Sequence, residues 1–245
     1  MHSLKKLKSL KEVAIKAAIS AGNYLNSEKK NKKQFEIISD EGRDIKLALD
    51  QSTEKIIRDI LNETGLEILG EEFGGKEDLG SFWVVDPIDG TANYFRGLDQ
   101  CCISIALVDE NCLVIGIIYN FNTDELYSAV KDQGAYLNNE KISVSKIQEK
   151  NKASLTTGFP ASESFESSIE FLDDLKEWKK IRMFGSAALS CAYVASGKCD
   201  FYAEKGIYLW DFAAGVCLVE EAGGKAEYKA IDDQRYSVKF SNSLL

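Results

Sequence analysis

The chain has 245 residues, of which 44% are hydrophobic and 28% charged, and its net charge is -9 at pH 7. Such a chain can bury a core without disulfides, and its negative charge disfavours nucleic acid as a partner. The single histidine, His2, lies near a chain end, which excludes a Ser-His-Asp triad, a Cys-His pair and a zinc site built on several histidines. Any catalysis must therefore rely on carboxylates, hydroxyls, lysines or a metal held by oxygen.

Two features of the sequence concern its location. No apolar run reaches the length of a transmembrane helix, and MHSLKKLKSLKEVAIKAAIS at the start lacks the continuous apolar block of a secretory signal. The six cysteines lie in apolar segments and form no CxxC pair, which favours buried thiols over a disulfide framework. We therefore expect a soluble cytoplasmic protein with no membrane partner.

The first half of the chain combines helical patterns with short apolar runs. Apolar residues at helical spacing predict a helix from Leu4 to Leu25, then a polar loop to about Gly42, then a second helix over roughly 44–62. LEILG and SFWVVD are predicted to be short buried strands. From Cys101, two apolar runs joined by Asp-Glu-Asn predict an antiparallel hairpin, and DELYSAV and GAYLNNEKISVS continue it as a meander.

After about residue 150 the pattern changes to strand and helix in alternation. Strands are predicted in ASLTTGF, KIRMFG, CDFYAE and KAEY, and helices in SFESSIEFLDDLKEW, SAALSCAYVASG and WDFAAGVCLVEEAGG. The sequence therefore predicts layered α and β structure in a single unit of two intimate lobes. Residues 1–150 would form an α+β lobe with an antiparallel sheet, and residues 151–245 an α/β lobe.

Acidic residues stand where an apolar strand is predicted to end. In FWVVDPIDGTANYF, Pro87 keeps the chain extended through Asp86, and Asp89 and Gly90 follow before a possible helix that begins at Thr91. The two carboxylates are expected to converge beside backbone N–H groups that suit a phosphate. Taken alone, DPIDGT is equally consistent with a simple turn, because Asp, Pro and Gly are turn-forming residues.

Acids elsewhere in the chain favour one shared site. Glu71 and Glu72 follow the predicted strand in LEILG, and Asp211 stands after a strand-like segment at the start of a helix. Carboxylates packed together repel one another unless a cation is present, and oxygen ligands suit Mg²⁺, Mn²⁺ or Ca²⁺. Two such ions can activate a water and stabilise a leaving oxygen. The sequence therefore predicts a metal site that attracts phosphate.

Two segments are similar to motifs of other phosphate-handling proteins but do not match them fully. GEEFGGKE, from Gly70, matches GxxxxGK but continues with Glu77 where a P-loop needs Ser or Thr, and its acids would repel phosphates. Phosphatases of the haloacid dehalogenase type space their acids two apart, in DxDGT, whereas the acids of DPIDGT are three apart. Neither a nucleotide P-loop nor a phosphoaspartate enzyme is therefore predicted.

Three segments resemble the signatures of a known family. GEE, WVVDPIDGTANY and LWDFAAGVCLVEEAGG look like those of the inositol monophosphatase family, in the right order and spacing, and GSAALSCAYVASGKCDFYAEKG also matches, so that the resemblance runs from about residue 44 to 224. It implies a layered α-β-α-β-α sandwich of the inositol monophosphatase and fructose-1,6-bisphosphatase type, usually a homodimer. It also implies two or three Mg²⁺ ions, or Mn²⁺ in their place, and inhibition by Li⁺.

The resemblance implies which residues hold the metal and activate water. Glu71 and Thr91 would orient the attacking water, and Asp50 would hydrogen-bond Thr91. Judged without the resemblance, Asp50 is an exposed helix charge. The metal ligands would be four carboxylates and one backbone carbonyl, those of Glu71, Asp86, Asp89 and Asp211 and that of Ile88.

The substrate contacts are implied in the same way. The backbone of Gly90 and Thr91 would hold the phosphate. The backbone of Ala187 and the side chains of Asp89 and Glu204 would contact the rest of the substrate. A carboxylate such as that of Glu204 suits a polyol because it accepts hydrogen bonds from hydroxyls. Without the resemblance, Glu204 is a charge at a strand end.

The segment before Asp50 departs from the family pattern. It reads ISDEGRDIKLALD, without the proline of the Ser-Pro-Val/Leu-Thr type of segment that many members carry there. The loop over about 31–44, which belongs to the metal site in the family, therefore differs in this chain from that of many members.

The leading hypothesis is a Mg²⁺-dependent hydrolase of small sugar or polyol phosphates, with inositol monophosphate as the favoured substrate. Water would attack phosphorus in line, without a phosphoenzyme. ANYFRG and WDFAAG look more like the inositol monophosphatase branch than the branch acting on 3'-phosphoadenosine 5'-phosphate. That activity, and fructose-1,6-bisphosphatase or NADP phosphatase activity, are the alternatives. A non-catalytic regulatory protein that binds metal and phosphate is the alternative from another class.

Overall fold

The structure is a computed structural model that describes residues 2–30, 37–41, 44–75, 80–159 and 175–245. The helices are α1 (Leu4–Lys30), α2 (Ala48–Leu61), α3 (Thr91–Arg96), α4 (Ala187–Ala195) and α5 (Leu209–Glu221), and 3₁₀ helices cover Asn62–Thr64, Lys150–Lys152 and Leu175–Glu177. The strands are β1 (Ile37–Glu41), β2 (Asp44–Leu47), β3 (Glu67–Gly70), β4 (Ser81–Asp89), β5 (Cys102–Asp109), β6 (Cys112–Asn120), β7 (Glu125–Val130), β8 (Ala135–Leu137), β9 (Glu140–Lys141), β10 (Ser154–Thr157), β11 (Lys180–Arg182), β12 (Phe201–Tyr208), β13 (Lys225–Ala230) and β14 (Arg235–Ser241).

Two sheets carry most of the strands. The larger sheet has the order β3-β4-β5-β6-β7-β8-β9, in which β3 is parallel to β4 and the other neighbours are antiparallel. The smaller sheet has the order β11-β10-β12-β14-β13, with β11, β10 and β12 parallel to one another and β14 antiparallel to both of its neighbours. The predicted antiparallel meander and the βαβ-like second part are therefore present.

The helices and sheets alternate in layers. Helices α1 and α2 pack together against one face of the larger sheet, and α4 and α5 contact strands of both sheets and so lie between them. Helix α4 is buried along nearly its whole length and α5 from Phe212 to Val219, as expected for apolar helices covered on two sides. Strand β5 is buried throughout, because helices cover both faces of its sheet.

The layered α-β-α-β order agrees with the predicted fold class. Most of the helix predicted in SFESSIEFLDDLKEW, which would supply the last helical layer, lies outside the described residues, and Leu175–Glu177 form a 3₁₀ helix. All six cysteines are free thiols, and five of them are buried, as predicted. Across the described ranges, no helix combines the length and apolar character needed to cross a membrane.

Two predicted boundaries near the second helix were wrong. The polar loop to Gly42 contains β1, and the helix expected from residue 44 begins at Ala48, after β2. These two strands form an antiparallel ribbon in which Glu41 is paired with Asp44. The ribbon is a pairing of one strand with another, so the helical period of the residues that follow could not reveal it.

Two strands in the site region also differ from the prediction. Strand β4 was expected to end at Asp86, but it continues through Pro87 to Asp89, with an irregular register against β5 between Asp86 and Asp89. Such a bulge accommodates a proline that cannot donate a ladder hydrogen bond. Strand β14 was not predicted, although Val238 and Phe240 alternate with less buried residues and face the core. It pairs with both β12 and β13.

Candidate active site

The end of β4 brings two carboxylates to the edge of the larger sheet. Asp86 and Asp89 are both buried, and the N–H of Ile88 donates a hydrogen bond of 2.9 Å to Asp86 Oδ1. This contact folds the Asp86 side chain back onto the bulge that contains Pro87. The carbonyl of Ile88 lies 2.9 Å from the hydroxyl of Thr91, which begins α3. Hydrogen bonds within the segment from Asp86 to Thr91 thus hold this segment in one compact conformation.

Gly90 turns the chain between β4 and α3. Its φ of +89° lies in the left-handed region, where a side chain would be strained. A Cβ at this position would also lie 2.8 Å from the carbonyl oxygen of Gln100 and 3.0 Å from that of Gly185. Glycine therefore allows the backbone of this turn to approach two other segments closely.

Asp50 lies behind Thr91 rather than in the cavity. It stands in the first turn of α2 and is 2% exposed, so that the reading of an exposed helix charge was wrong. Its Oδ1 lies 3.3 Å from the Thr91 hydroxyl. Because Thr91 has a single hydroxyl proton, it donates either to Asp50 or to the carbonyl of Ile88, and its lone pairs remain available as acceptors.

Asp89 connects the end of β4 to the start of α4. Its Oδ1 accepts a hydrogen bond of 3.2 Å from the N–H of Ala187, and its Oδ2 accepts one of 2.8 Å from that of Ala188 and one from the hydroxyl of Ser186. Ser186 is also the N-cap of α4, since its Oγ accepts from the N–H of Leu189 at 3.3 Å. Asp89 thereby satisfies N–H groups at a helix terminus that would otherwise lack partners.

Glu71 and Asp211 approach the same region from two further elements. Glu71 follows β3, and its N–H donates to the carbonyl of Val85 in β4 over 3.2 Å. Asp211 stands in the first turn of α5, where its Oδ2 accepts a hydrogen bond of 2.7 Å from the N–H of Tyr208. Both residues are half-buried, and the hydrogen bond from Tyr208 fixes the carboxylate of Asp211 at the start of its helix.

A cavity of about 520 Å³ joins these groups. Its lining includes every predicted site residue except Asp50, namely Glu71, Asp86, Ile88, Asp89, Gly90, Thr91, Ala187, Glu204 and Asp211. Sequence reasoning missed other residues of the lining, among them Ser186, Tyr208 and Arg235. Ser186 could have been found, because a serine directly before the apolar run AALSCA is a typical N-cap.

The carboxylates of the cavity affect one another's ionisation. The pKa of Asp86 is raised well above its ordinary value by burial and then by the charges of Glu71, Asp89, Asp211 and Asp50. Burial also raises the pKa of Asp211, with further contributions from Asp89 and Glu71. Burial raises the pKa of Asp89 as well, although its hydrogen bonds with Ser186 and α4 work against this rise. A cation among these groups would relieve their repulsion.

The donor set fits a hard divalent cation. The lining offers carboxylates and the carbonyl of Ile88, which are ligands for Mg²⁺ rather than for a soft metal. In the part of the chain that the structure describes, no three acidic, histidine or cysteine side chains lie close enough to enclose an ion by themselves. Mg²⁺ keeps several waters and uses one or two carboxylates together with substrate phosphate, so an open arrangement suits it.

Glu204, on β12, also lines the cavity. Its Oε2 accepts a hydrogen bond of 2.9 Å from the hydroxyl of Tyr202, and its carboxyl lies so close to Gly158 that a Cβ there would overlap it. Burial, together with the charge of Asp89, raises the pKa of Glu204 to about 7, although the bond from Tyr202 works against the rise. Glu204 therefore faces the cavity as an acceptor rather than as a solvated charge at a strand end.

Comparisons with known proteins agree with this arrangement. The model of the inositol monophosphatase family matches residues 6–230. A protein of Xylella fastidiosa named Nus factor SuhB is 38% identical over 233 residues, which cover 93% of this chain and 85% of the relative.

Two solved structures are similar over nearly the whole chain. The inositol monophosphatase from Anabaena (Nostoc) sp. PCC 7120 is 31% identical with a TM-score of 0.84, and the match covers 98% of this chain and 92% of that one. SaIMPase-II, in a crystal structure with bound inositol monophosphate, is 26% identical with a TM-score of 0.81, and the match covers 97% and 90%. The chain thus belongs to the inositol monophosphatase family and is a phosphoric monoester hydrolase of this generally Mg²⁺-dependent group.

Proposed function

We propose that this protein hydrolyses the phosphate ester of a small polyol, with inositol monophosphate as the favoured substrate. The observation that carries the proposal is the arrangement of the cavity. Its lining consists of two groups of residues, which we call its first and second sides: the carboxylates of Glu71, Asp86, Asp89 and Asp211 with Thr91, and Glu204 with the start of α4. A phosphate held on the first side would direct the hydroxyls of its polyol towards Glu204, a hydrogen-bond acceptor. The complex of SaIMPase-II with inositol monophosphate supports this choice.

The residues on the first side would orient the attacking water. Glu71 and Thr91 Oγ1 would each accept a hydrogen bond from that water, while the Thr91 hydroxyl donates to Asp50. The free lone pair of the water is then directed at phosphorus, in line with the leaving alkoxide. The Mg²⁺ ions would be shared among Glu71, Asp86, Asp89, Asp211 and the carbonyl of Ile88, each with one or two of these carboxylates together with waters and phosphate oxygens. They would neutralise the phosphate and lower the pKa of the water.

The turn at Gly90 would hold the phosphate itself. The first N–H groups of a helix have no intrahelical partner, so those of Gly90 and Thr91 are available to phosphate oxygens. The backbone of Ala187 and the carboxylates of Asp89 and Glu204 would contact the polyol. Because water rather than a side chain attacks, no phosphoenzyme would form.

Further properties belong to the proposal through the family. Two or three Mg²⁺ ions would be bound, Mn²⁺ could replace them, and Li⁺ would inhibit. The protein would act as a homodimer in the cytoplasm, without a nucleic-acid or membrane partner. Its unit would consist of two intimate lobes, 1–150 and 151–245.

A regulatory role is the second candidate. The relative from Xylella fastidiosa is named a Nus factor, which favours a function besides turnover of a small molecule. The two candidates differ in one result. A regulatory protein would bind Mg²⁺ and leave every phosphate ester intact, whereas the proposed enzyme would release phosphate.

A substrate panel tests the proposal. Phosphate release from inositol monophosphate, 3'-phosphoadenosine 5'-phosphate, fructose 1,6-bisphosphate and NADP would be measured with Mg²⁺ and with a chelator. We expect the highest kcat/KM for inositol monophosphate and no release from it by Asp89→Asn. Asp59→Asn, on the exposed face of α2, is the matched control and should retain full activity. Full activity of Asp89→Asn would refute the mechanism, and a strong preference for the adenosine bisphosphate would refute the choice of substrate.

A further inference from the structure

A buried ion pair lies beside the site but outside the proposed reaction. Glu54, in α2, is fully buried, and its Oε1 accepts a hydrogen bond of 2.7 Å from Nε of Arg58 one turn later. Removing two charges from water costs about as much as their attraction returns, so such a pair is weak evidence of a contribution to stability. Its remaining contacts therefore indicate what the pair does.

These contacts go to the backbone of the turn after β3. Glu54 Oε2 accepts from the N–H of Glu72 at 2.7 Å, and Oε1 accepts from that of Phe73 at 3.3 Å. Arg58 donates from Nη1 to the carbonyl of Ile68 at 3.2 Å and from Nη2 to that of Gly74 at 2.5 Å. The pair thus bonds to backbone groups on both sides of residue 71.

The geometry of the turn depends on this close approach. The N–H of Gly70 donates to the carbonyl of Gly74 over 3.0 Å, which closes the turn around the carboxylate of Glu54. A Cβ at Gly70 would overlap that carboxylate, so that only glycine fits. On its other side, the turn is fixed to β4 by the bond from the N–H of Glu71 to the carbonyl of Val85.

We propose that Glu54 and Arg58 are positioning residues that hold the turn from which Glu71 enters the cavity. The proposal rests on the proposed function of Glu71 as a metal ligand that orients the water. Neither Glu54 nor Arg58 lines the cavity, and they would act only through the backbone of residues 68–74. In a metal site, residues that orient a ligand typically contribute about 10- to 100-fold to affinity or activity.

Glu54→Gln tests the proposal most directly. Glutamine keeps the shape, but its NH₂ group would face an N–H of the turn or the guanidinium of Arg58. We expect the amides of Glu72 and Phe73 to exchange hydrogen for deuterium at least about tenfold faster, because their acceptor is weakened. We expect Mn²⁺ to bind about tenfold more weakly without substrate, and kcat to fall by about 10- to 100-fold while KM changes little.

Two controls separate positioning from a general loss of stability. Ile57→Val removes a methyl group from the buried face of the same helix, so it should lower the Tm without changing Mn²⁺ affinity. Asp59→Asn breaks the exposed pair with Lys55 in α2 and should change neither property. If Glu54→Gln does not fold, Arg58→Lys, which keeps the charge but loses the fork of donors, should show the same changes to a smaller extent.

The outcomes distinguish this proposal from the proposed function. Unchanged exchange at Glu72 and Phe73 would refute the role of Glu54, whatever the enzyme hydrolyses. Faster exchange with unchanged Mn²⁺ affinity and kcat would show that the pair holds the turn without positioning Glu71. A wild-type protein that hydrolyses no phosphate ester would refute the proposed function, and weaker Mn²⁺ binding by Glu54→Gln would still support the positioning role.

Discussion

The two sides of the cavity are held together in different ways. On the side formed by the end of β4 and the start of α3, neighbouring residues bond to one another: the N–H of Ile88 donates to Asp86, and Thr91 lies within hydrogen-bonding distance of the carbonyl of Ile88. The side formed by β12 and the start of α4 draws on separate elements, and the carboxylate of Glu204 accepts a hydrogen bond from Tyr202 in the same strand. Local hydrogen bonds thus fix the segment at the centre of the first side, whereas the second side depends on how separate elements pack.

Asp89 joins the two sides. Its backbone ends β4, while its carboxylate accepts hydrogen bonds from Ala187 and Ala188 at the start of α4. The difference between the sides indicates that they have different functions: the first side would act on the phosphate, and the second would recognise the alcohol. Substitutions on the first side should therefore lower kcat, and those on the second should raise KM.

Asp86→Asn, like Asp89→Asn, should have the largest effect on the first side. Loss of a charged metal ligand removes several kcal/mol of transition-state stabilisation, so kcat should fall by at least about a thousandfold. The bond from the N–H of Ile88 can be retained by the asparagine oxygen. Added Mg²⁺ should raise the Tm of the wild type far more than that of the variant.

The same substitution should stabilise the metal-free protein near pH 7. The raised pKa of Asp86 means that its contribution to stability is present below the ordinary value of 3.8 and is lost as the pH rises through the higher folded value. Ionised Asp86 thus opposes folding at neutral pH, and a neutral asparagine does not. A metal-free Asp86→Asn that unfolds at a lower denaturant concentration than the wild type would contradict this account.

Thr91→Ala should have the next largest effect. Without the hydroxyl, the water has one acceptor fewer, and kcat should fall by about a hundredfold with little change in KM. Thr91→Ser keeps the hydroxyl and should retain most of the activity. Equal losses in both variants, measured under saturating substrate, would mean that the methyl group of Thr91 matters rather than its hydroxyl.

The sequence predicted the first side of the cavity better than the second. Asp86, Asp89 and Asp211 stand at strand or helix ends, a position that a linear pattern reveals. Asp50 and Glu204 entered only through the family resemblance, because a carboxylate inside a helix or a strand looks the same whether it is buried or exposed. The roles of all five in the reaction remain predictions.

Contacts between distant residues explain what the sequence could not predict. Ser186 bonds to Asp89 across 97 positions, and Glu54 bonds to Glu72 across 18. Both partners of such a bond are ordinary polar residues until the fold brings them together. The same holds for β14, whose role as the neighbour of both β12 and β13 depends on pairing rather than on its own pattern.

Glu204→Gln tests whether the second side recognises the substrate, because its main effect should then be on KM. A hydrogen bond to a charged group contributes about 1.5–3 kcal/mol, so KM for inositol monophosphate should rise at least about tenfold while kcat changes less. A parallel assay with a phosphate ester that has no further hydroxyls is the control, since its KM should not change. A fall in kcat alone would instead place Glu204 in the chemical step.

The pH dependence of stability gives a second test at this residue. Because the pKa of Glu204 is raised from 4.5 to about 7, its stabilising contribution is fully present below pH 4.5 and is lost as the pH rises through about 7. Metal-free Glu204→Gln should therefore lose less stability than the wild type between pH 5 and 7, as measured by denaturant unfolding. Parallel curves for the two proteins would contradict the raised pKa.

Arg235→Ala should have the smallest effect, confined to substrates with a second anionic group. Arg235 stands on β14 opposite Tyr208 and lines the cavity, with its Nη2 2.7 Å from Oδ2 of Asp232. Among the described residues that line the cavity, Arg235 is the basic one. A partly exposed ion pair between its guanidinium and a second anionic group of the substrate would contribute about 0.2–1 kcal/mol. KM for fructose 1,6-bisphosphate should therefore rise by up to about fivefold, while KM for inositol monophosphate should not change.

Asp232→Asn sharpens this last comparison. It removes the carboxylate that holds the guanidinium of Arg235, so KM for the bisphosphate should fall while KM for the monophosphate stays the same. Equal changes for both substrates would mean that Arg235 acts on the reacting phosphate or on the shape of the cavity. Opposite changes in the two variants, restricted to the bisphosphate, would place Arg235 on the recognition side and separate the second phosphate from the one that is hydrolysed.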